Sequence, residues 1–172
     1  MTEEVKKHGL NVVGPLVDAL GDNEEMAQAL EAVLGEELAF AFVTTDLADF
    51  QLLCKIRDQL EAPAPVLWVG KGDEEAPPRP NPTRDGVLGD LWRLAGVRED
   101  VAVLLSRAVG HYWLVADPEE AAEIAQQERV GVVTLGGRVF DALPNALMSR
   151  PPTPDPRVLS TAPLRARLEE LR

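Results

Sequence analysis

The residue types that most often carry chemistry are scarce in this sequence. It contains two histidines, His8 and His111, and one cysteine, Cys54. His8 lies in a polar N-terminal stretch, and His111 follows a glycine at a predicted helix end, where a cation would favour the terminal carbonyl groups. Cys54 lies inside a predicted helix, where a thiol is more often a packed side chain than a nucleophile. We therefore predict no catalytic centre built on imidazole or thiolate.

Two further patterns bear on nucleotide or cation binding. The run Gly131–Gly137 lacks the Lys-Ser/Thr pair of a P-loop, so it predicts a structural turn. Asp73, Glu74 and Glu75 form an acidic run inside a proline-rich segment, and no Asp/Asn-rich calcium loop is visible. We expect no cofactor, no metal and no enzymatic activity from this chain.

Composition narrows the class of protein. The formal charge of −12 at pH 7 argues against nucleic-acid binding by the whole surface, because such binding depends on clustered lysine and arginine. No apolar run approaches the roughly 20 residues that span a bilayer, and the N-terminus lacks the apolar segment of a secretory signal. A single cysteine excludes an internal disulfide framework. We expect a cytoplasmic protein with no membrane partner.

The elements that would position these side chains occur twice along the chain. Asp46 and Asp117 each open a predicted helix in equivalent parts of the two copies. A repeat of this length is too long for a solenoid unit, so it predicts two similar lobes related by approximate symmetry. The identical pairs, 75 residues apart (87 − 12 for the first), are Val12/Val87, Gly14/Gly89, Leu16/Leu91, Gly21/Gly96, Glu24/Glu99, Ala27/Ala102, Leu30/Leu105 and Gly35/Gly110.

Periodicity predicts an α/β fold in which each lobe has strands flanked by helices. The predicted helices are 24–34, 47–60, 99–109 and 119–128. The predicted strands are 38–43, 66–69, 112–115 and 130–135, with a short strand and helical turn at 11–20, a matching segment at 86–94 and a hairpin partner at 138–140.

Proline and charge patterns divide the chain. Pro77, Pro78, Pro80 and Pro82 mark a linker. Leu164, Leu168 and Leu171 have helical spacing in an otherwise charged tail. The predicted division is a coiled-coil stub at 1–8, a first lobe at 9–70, the linker at 71–85, a second lobe at 86–150, and a Pro-rich segment with a second coiled-coil stub at 151–172.

The second copy resembles the hinge domain of SMC proteins, the long coiled-coil ATPases that organise chromosomes. Residues 116–125 (ADPEEAAEIA) are similar to the acidic, alanine-rich helix start of these hinges, and residues 129–137 (RVGVVTLGG) to their R-x-V-T-L-D-G strand and turn. The resemblance covers residues 9–150. The companion features in the first copy are Gly14 in its apolar opening, the helix end at Gly35, and the strand–helix–strand that leads to Trp68.

The sequence departs from the family pattern in the segment associated with dimerisation. SMC hinges usually have Asp where this chain has Gly136. They carry further glycines that let two subunits approach closely, and those positions here hold Pro144, Met148 and Ser149. Because a side chain blocks contacts that glycine permits, these departures predict a modified or weaker pairing.

The resemblance implies a dimerisation domain that joins two coiled-coil arms, with ATPase heads elsewhere in a full-length protein. The implied partner is a second SMC-like hinge, as a homodimer, in a nucleoid-associated complex that encloses or bridges DNA. We expect edge strands near 66–69 and 132–140 to pair across subunits, because edge strands carry unpaired backbone groups. The candidate interface residues are Val66, Trp68, Val133, Leu135, Gly137, Val139, Phe140, Pro144 and Met148.

Basic residues near both chain ends offer a further hypothesis. DNA would be bound through the full-length complex, and only weakly or locally by this domain; solvated helix faces are the alternative reading. The candidate DNA contacts are Lys6, Lys7, Arg150 and Arg157. A different class of function, a regulatory or small-molecule-binding domain, predicts instead a monomer with a deep polar cleft between its lobes.

Overall fold

A computed structural model of the chain describes residues 1–20, 23–70 and 84–152. Most of the predicted linker and the predicted C-terminal stub, with its Leu164–Leu171 helix, lie outside the described residues. The helices are α1 (Thr2–Lys7), α2 (Glu24–Ala39), α3 (Leu47–Gln59), α4 (Leu91–Leu94), α5 (Glu99–Ala108) and α6 (Pro118–Glu128), with a 3₁₀ turn at Leu16–Ala19. The strands are β1 (Phe42–Thr44), β2 (Val66–Trp68), β3 (Val87–Asp90), β4 (Tyr112–Val115), β5 (Gly131–Thr134), β6 (Val139–Leu143) and β7 (Ala146–Arg150).

The two lobes share one order of elements, as the internal repeat predicts. In the first lobe β1 pairs in parallel with β2, and Val13 forms an isolated antiparallel bridge to Val43. In the second lobe β4 pairs in parallel with β5, and β3 pairs antiparallel with β4. The second lobe alone adds the β6–β7 hairpin, which extends its sheet to the order β3-β4-β5-β6-β7.

Aspartates begin the equivalent helices α3 and α6 by the same chemistry. The Asp46 carboxylate accepts hydrogen bonds from the backbone N–H groups of Ala48 and Asp49, at 2.7 and 3.0 Å. The Asp117 carboxylate accepts one from Glu119 at 2.8 Å. Both satisfy donors that a helix start leaves without an intrahelical partner, so the predicted helix starts are confirmed.

The two lobes share a single large apolar core. Alternation along β4 sends Tyr112 and Leu114 into this core, while Trp113 and Val115 pack beneath α6 on the other face of the sheet. Trp92 is fully buried in the shared core, and its indole N–H donates to the carbonyl of Gly110 at 3.2 Å. The lobes therefore fold as one body rather than as two independent units.

The strand predicted at 38–43 starts later in the structure. Residues 38–43 were predicted as a strand, whereas α2 continues to Ala39 and β1 begins at Phe42. Gly35 does interrupt the helix, with φ 70° and ψ 170°, but the helix resumes after it. A short apolar run such as Leu-Ala-Phe-Ala-Phe-Val fits a helix as well as a strand, so periodicity could not decide between them.

The turn between β5 and β6 packs directly on the first lobe. Gly137 has φ 82°, and a Cβ atom at this position would lie 3.2 Å from both the Cγ and the carbonyl oxygen of Gln28 on α2. It would also lie 3.5 Å from the Cβ of Ala32. Glycine is thus favoured at this turn by its backbone conformation and by the close approach of α2.

Replacement of Gly137 by alanine should destabilise the protein. The left-handed conformation costs an L-residue about 1–2 kcal/mol, and the side chain of Gln28 on α2 would also have to shift slightly. Chemical denaturation should show a lower free energy of unfolding for Gly137→Ala. The matched control is Gly136→Ala, since a Cβ there meets only the Thr134 hydroxyl at 3.9 Å. Equal stability of the two variants would contradict this account of the turn.

Candidate functional site

Both lobes have sheet edges that lie open on the surface. Among the described residues β2, β3 and β7 each have a strand neighbour on one side only, and of these β2 and β7 are the edges nearest the predicted interface residues. Trp68 on β2 is 49% exposed, and Met148 on β7 is 45% exposed. Leu143 and Leu147, at the two ends of the β6–β7 turn, are also exposed. Unpaired backbone groups beside exposed apolar side chains are typical of strands that pair with another chain.

Trp68 is held in place although half of it is exposed. Its indole N–H donates to the carbonyl of Thr45 at 3.3 Å, and its ring lies against Gly70. A large aromatic side chain with a fixed orientation loses little entropy on binding, which is why such residues often anchor interfaces. Trp68 is therefore the strongest interface candidate in the first lobe.

The structure divides the nine predicted interface residues into two groups. Trp68, Leu135, Pro144 and Met148 are exposed, and Val66 is half-buried. The other four are buried within the chain itself, with Val133 and Val139 at 0% exposure. As core residues they cannot contact a partner without disrupting the fold. The buried group consists of Val133, Gly137, Val139 and Phe140.

The prediction that 132–140 forms a sheet edge is wrong. β5 lies between β4 and β6, and β6 lies between β5 and β7, so both strands are internal. The edge is β7, which the sequence analysis missed because Ala146–Arg150 contains no β-branched or aromatic residue. One signal was available: Pro144-Asn145 forms the two-residue turn of the hairpin, and both residue types favour turns.

A polar cluster joins three strands next to this edge. The Tyr112 hydroxyl on β4 donates to the Asp141 carboxylate on β6 at 2.6 Å. Arg150 on β7 donates to the same carboxylate from Nε at 2.6 Å and from Nη2 at 3.2 Å. Burial and the hydrogen bond to Asp141 raise the pKa of Tyr112 to about 12. The same carboxylate raises the pKa of Arg150, so the ion pair persists over the whole physiological range.

The predicted DNA contacts do not form one surface in the described part of the chain. Arg150 uses its guanidinium within the protein, and its remaining nitrogen, Nη1, donates to the carbonyl of Ala32 at 3.1 Å. Lys6 and Lys7 are exposed on α1, where Lys7 lies 3.5 Å from the carboxylate of Glu4. Arg157 lies outside the described residues.

A groove of about 850 Å³ lies on the second lobe and reaches the first lobe at Val33 and Leu38. Its polar lining includes Tyr112, Asp141 and Arg150, which bind one another. His111 also lines it, and burial lowers the pKa of this imidazole, so it is neutral at pH 7. The groove touches both lobes, as expected for a ligand-binding cleft, but its groups Tyr112, Asp141 and Arg150 are already engaged with protein atoms.

The described residues contain no group of three or more His, Cys, Asp or Glu side chains placed to hold a metal ion. None of the helices in the described ranges combines the length and apolar character needed to cross a bilayer.

Comparison with known proteins connects this geometry to a family. The family model for the flexible hinge domain of SMC proteins matches residues 9–125. No curated protein matches the chain at a significant level. The family match ends before β5, so the departures at 136, 144, 148 and 149 lie beyond it.

Solved structures extend the likeness through the whole fold. The hinge domain of the Geobacillus stearothermophilus SMC protein, in an asymmetric dimer, is 17% identical with a TM-score of 0.69, covering 99% of this chain and 71% of that chain. The Pyrococcus furiosus SMC hinge domain is 20% identical with a TM-score of 0.54, covering 85% and 76%. A folded elbow of cohesin is 17% identical with a TM-score of 0.59, covering 99% of this chain and 25% of that chain.

The titration of Tyr112 tests the polar cluster directly, because it is the only tyrosine in the chain. Ultraviolet absorbance should show phenolate formation with a midpoint near pH 12 rather than at the ordinary value of 10. Since the pKa is raised in the folded state, the stabilising contribution is complete below pH 10 and is lost as the pH rises through 12.

Asp141→Asn should lower that midpoint, because it removes the carboxylate that binds the hydroxyl. Asp58→Asn removes an exposed carboxylate on α3 and should leave the midpoint unchanged. Tryptophan fluorescence recorded in parallel shows whether the chain is still folded. A wild-type midpoint near 10 in folded protein would contradict the observed geometry.

Proposed function

Because this chain belongs to the family of SMC flexible hinge domains, which are dimerisation modules, we propose that it forms a homodimer through the sheet edges β2 and β7. The exposed apolar side chains beside both edges carry this proposal, above all Trp68 and Met148. The two edges lie in different lobes and in different sheets, so one chain has two distinct pairing surfaces.

Pairing of β2 with β7 of a second copy is compatible with two-fold symmetry. The contact then occurs twice, once in each direction, and pairs both β2 and β7 of each copy. A single contact would be weak, since β2 has 3 residues and β7 has 5. Two simultaneous contacts reinforce each other, because the first raises the effective concentration for the second.

The side chains that replace the family's glycines bear on the strength of the dimer. Pro144, Met148 and Ser149 are all exposed in the β6–β7 hairpin, so they are available to a partner and cause no conflict within the chain. They exclude the closest approach of two backbones but add apolar area. The expected dimer is therefore held more by side-chain burial than by backbone proximity.

The wider role we propose is to join two coiled-coil arms of an SMC-like protein. That complex would organise, condense or segregate chromosomal DNA, in the cytoplasm and at the nucleoid. Direct DNA binding by this domain is expected to be weak, since the net charge is −12 and Arg150 is engaged internally. Lys6 and Lys7 remain the exposed candidates for a local contact.

Charged substitutions on each edge test the dimer. Trp68→Lys and Met148→Lys should each weaken self-association by about 30-fold, the effect of losing an interface anchor worth about 2 kcal/mol. Sedimentation equilibrium over a concentration series measures the dissociation constant. Val103→Lys, at a comparably exposed apolar position on α5, is the matched control and should change it less than about twofold.

The pattern of effects identifies the pairing. Loss of association in both variants supports β2 against β7, whereas loss in Met148→Lys alone would indicate pairing of β7 with itself. A wild-type chain that stays monomeric at high concentration would contradict dimerisation as the function of this domain.

A further inference from the structure

Arg150 crosses the boundary between the lobes at the interruption of α2. The backbone of Gly35, three residues after Ala32, is not helical although α2 continues to Ala39. Arg150 Nη1 donates to the carbonyl oxygen of Ala32 at 3.1 Å. An arginine of the second lobe is therefore hydrogen-bonded to the helix α2 of the first lobe.

The rest of the guanidinium is held within the second lobe. Nε and Nη2 both bind the Asp141 carboxylate, at 2.6 and 3.2 Å, in a bidentate arrangement. The carboxylate is only 13% exposed, and the Tyr112 hydroxyl fixes it from the other side. A planar guanidinium can bind the carboxylate and the carbonyl at once with separate N–H groups, which a lysine ammonium reproduces poorly.

We propose that Arg150 is a positioning residue for dimerisation: it holds the edge strand β7 in place by tying it to the first lobe. The inference rests on the proposed homodimer. In the described part of the chain β7 has β6 as its only strand neighbour, so hydrogen bonds of the sheet hold it on one side. Ordering that strand before a partner arrives lowers the entropy lost on binding and so strengthens association.

The same tie relates the two pairing surfaces to each other. β2 belongs to the first lobe and β7 to the second, and a closed dimer needs both at a defined separation. Arg150 connects β7 to α2, which packs in the core that the lobes share. Loss of this hydrogen bond should therefore weaken the β2–β7 pairing between two copies, even though the Arg150 side chain need not touch the partner.

The test compares Arg150→Met, Arg150→Lys and Arg107→Met in the full chain. Sedimentation equilibrium well below the melting temperature of each variant should show a dissociation constant raised at least about tenfold in Arg150→Met. Arg150→Lys should fall between Arg150→Met and wild type. Arg107, exposed on α5, makes no side-chain hydrogen bond or ion pair within the described ranges, and its replacement should change the constant less than about twofold.

A second measurement does not depend on the dimer. In dilute, monomeric protein, hydrogen exchange at residues 146–150 should accelerate at least about tenfold in Arg150→Met, while exchange in β4 stays unchanged. Uniform acceleration across both strands would indicate general destabilisation and would overturn the proposal. Should Arg150→Met fail to fold, Arg150→Lys supplies both readouts.

The outcomes separate the two proposals. A wild-type dimer whose dissociation constant is the same in Arg150→Met overturns the positioning role and leaves the dimer intact. A wild-type chain that never dimerises overturns both, and faster exchange of β7 in Arg150→Met would then show only a tie between lobes.

Discussion

One turn of α2 fixes how the two lobes of this domain meet. Gly137 of the second lobe lies against Gln28 and Ala32, where a side chain would be tightly packed. Arg150 binds the Ala32 carbonyl, three residues before the non-helical Gly35. A glycine turn and a guanidinium thus meet the same stretch of helix. The orientation of the sheet edges follows from these two contacts and from the shared core beneath them.

The approximate symmetry of the lobes is broken at the β6–β7 hairpin. Both lobes have a parallel pair of strands with a helix begun by an aspartate, but only the second lobe adds this hairpin. As a result β2 and β7 are unlike edges, a short one with Trp68 and a longer one with Met148. Unlike edges can pair with each other across a two-fold axis, which suits a domain that must form a closed dimer rather than a filament.

Local signals in the sequence predicted most of the secondary structure. Asp46 and Asp117 accept hydrogen bonds from residues close to them in the chain, so their effects could be predicted without knowing the fold. The candidate site was harder to predict from the sequence. β7 lacks the residue types that favour strands, so the sequence did not predict it. Because β7 and not 132–140 forms the edge, Val133 and Val139 lie in the core.

From the sequence alone came the repeat, the α/β class, the helix starts and the resemblance to SMC hinges, because each depends on contacts short along the chain or on residues in a fixed order. The tertiary structure decided which strands lie at the sheet edges and which groups Arg150 binds. Arg150 and Ala32 are 118 positions apart, and no periodicity or composition relates them. Burial and hydrogen bonding between such distant groups depend on how whole elements pack, since only packing sets their distance and removes water from between them.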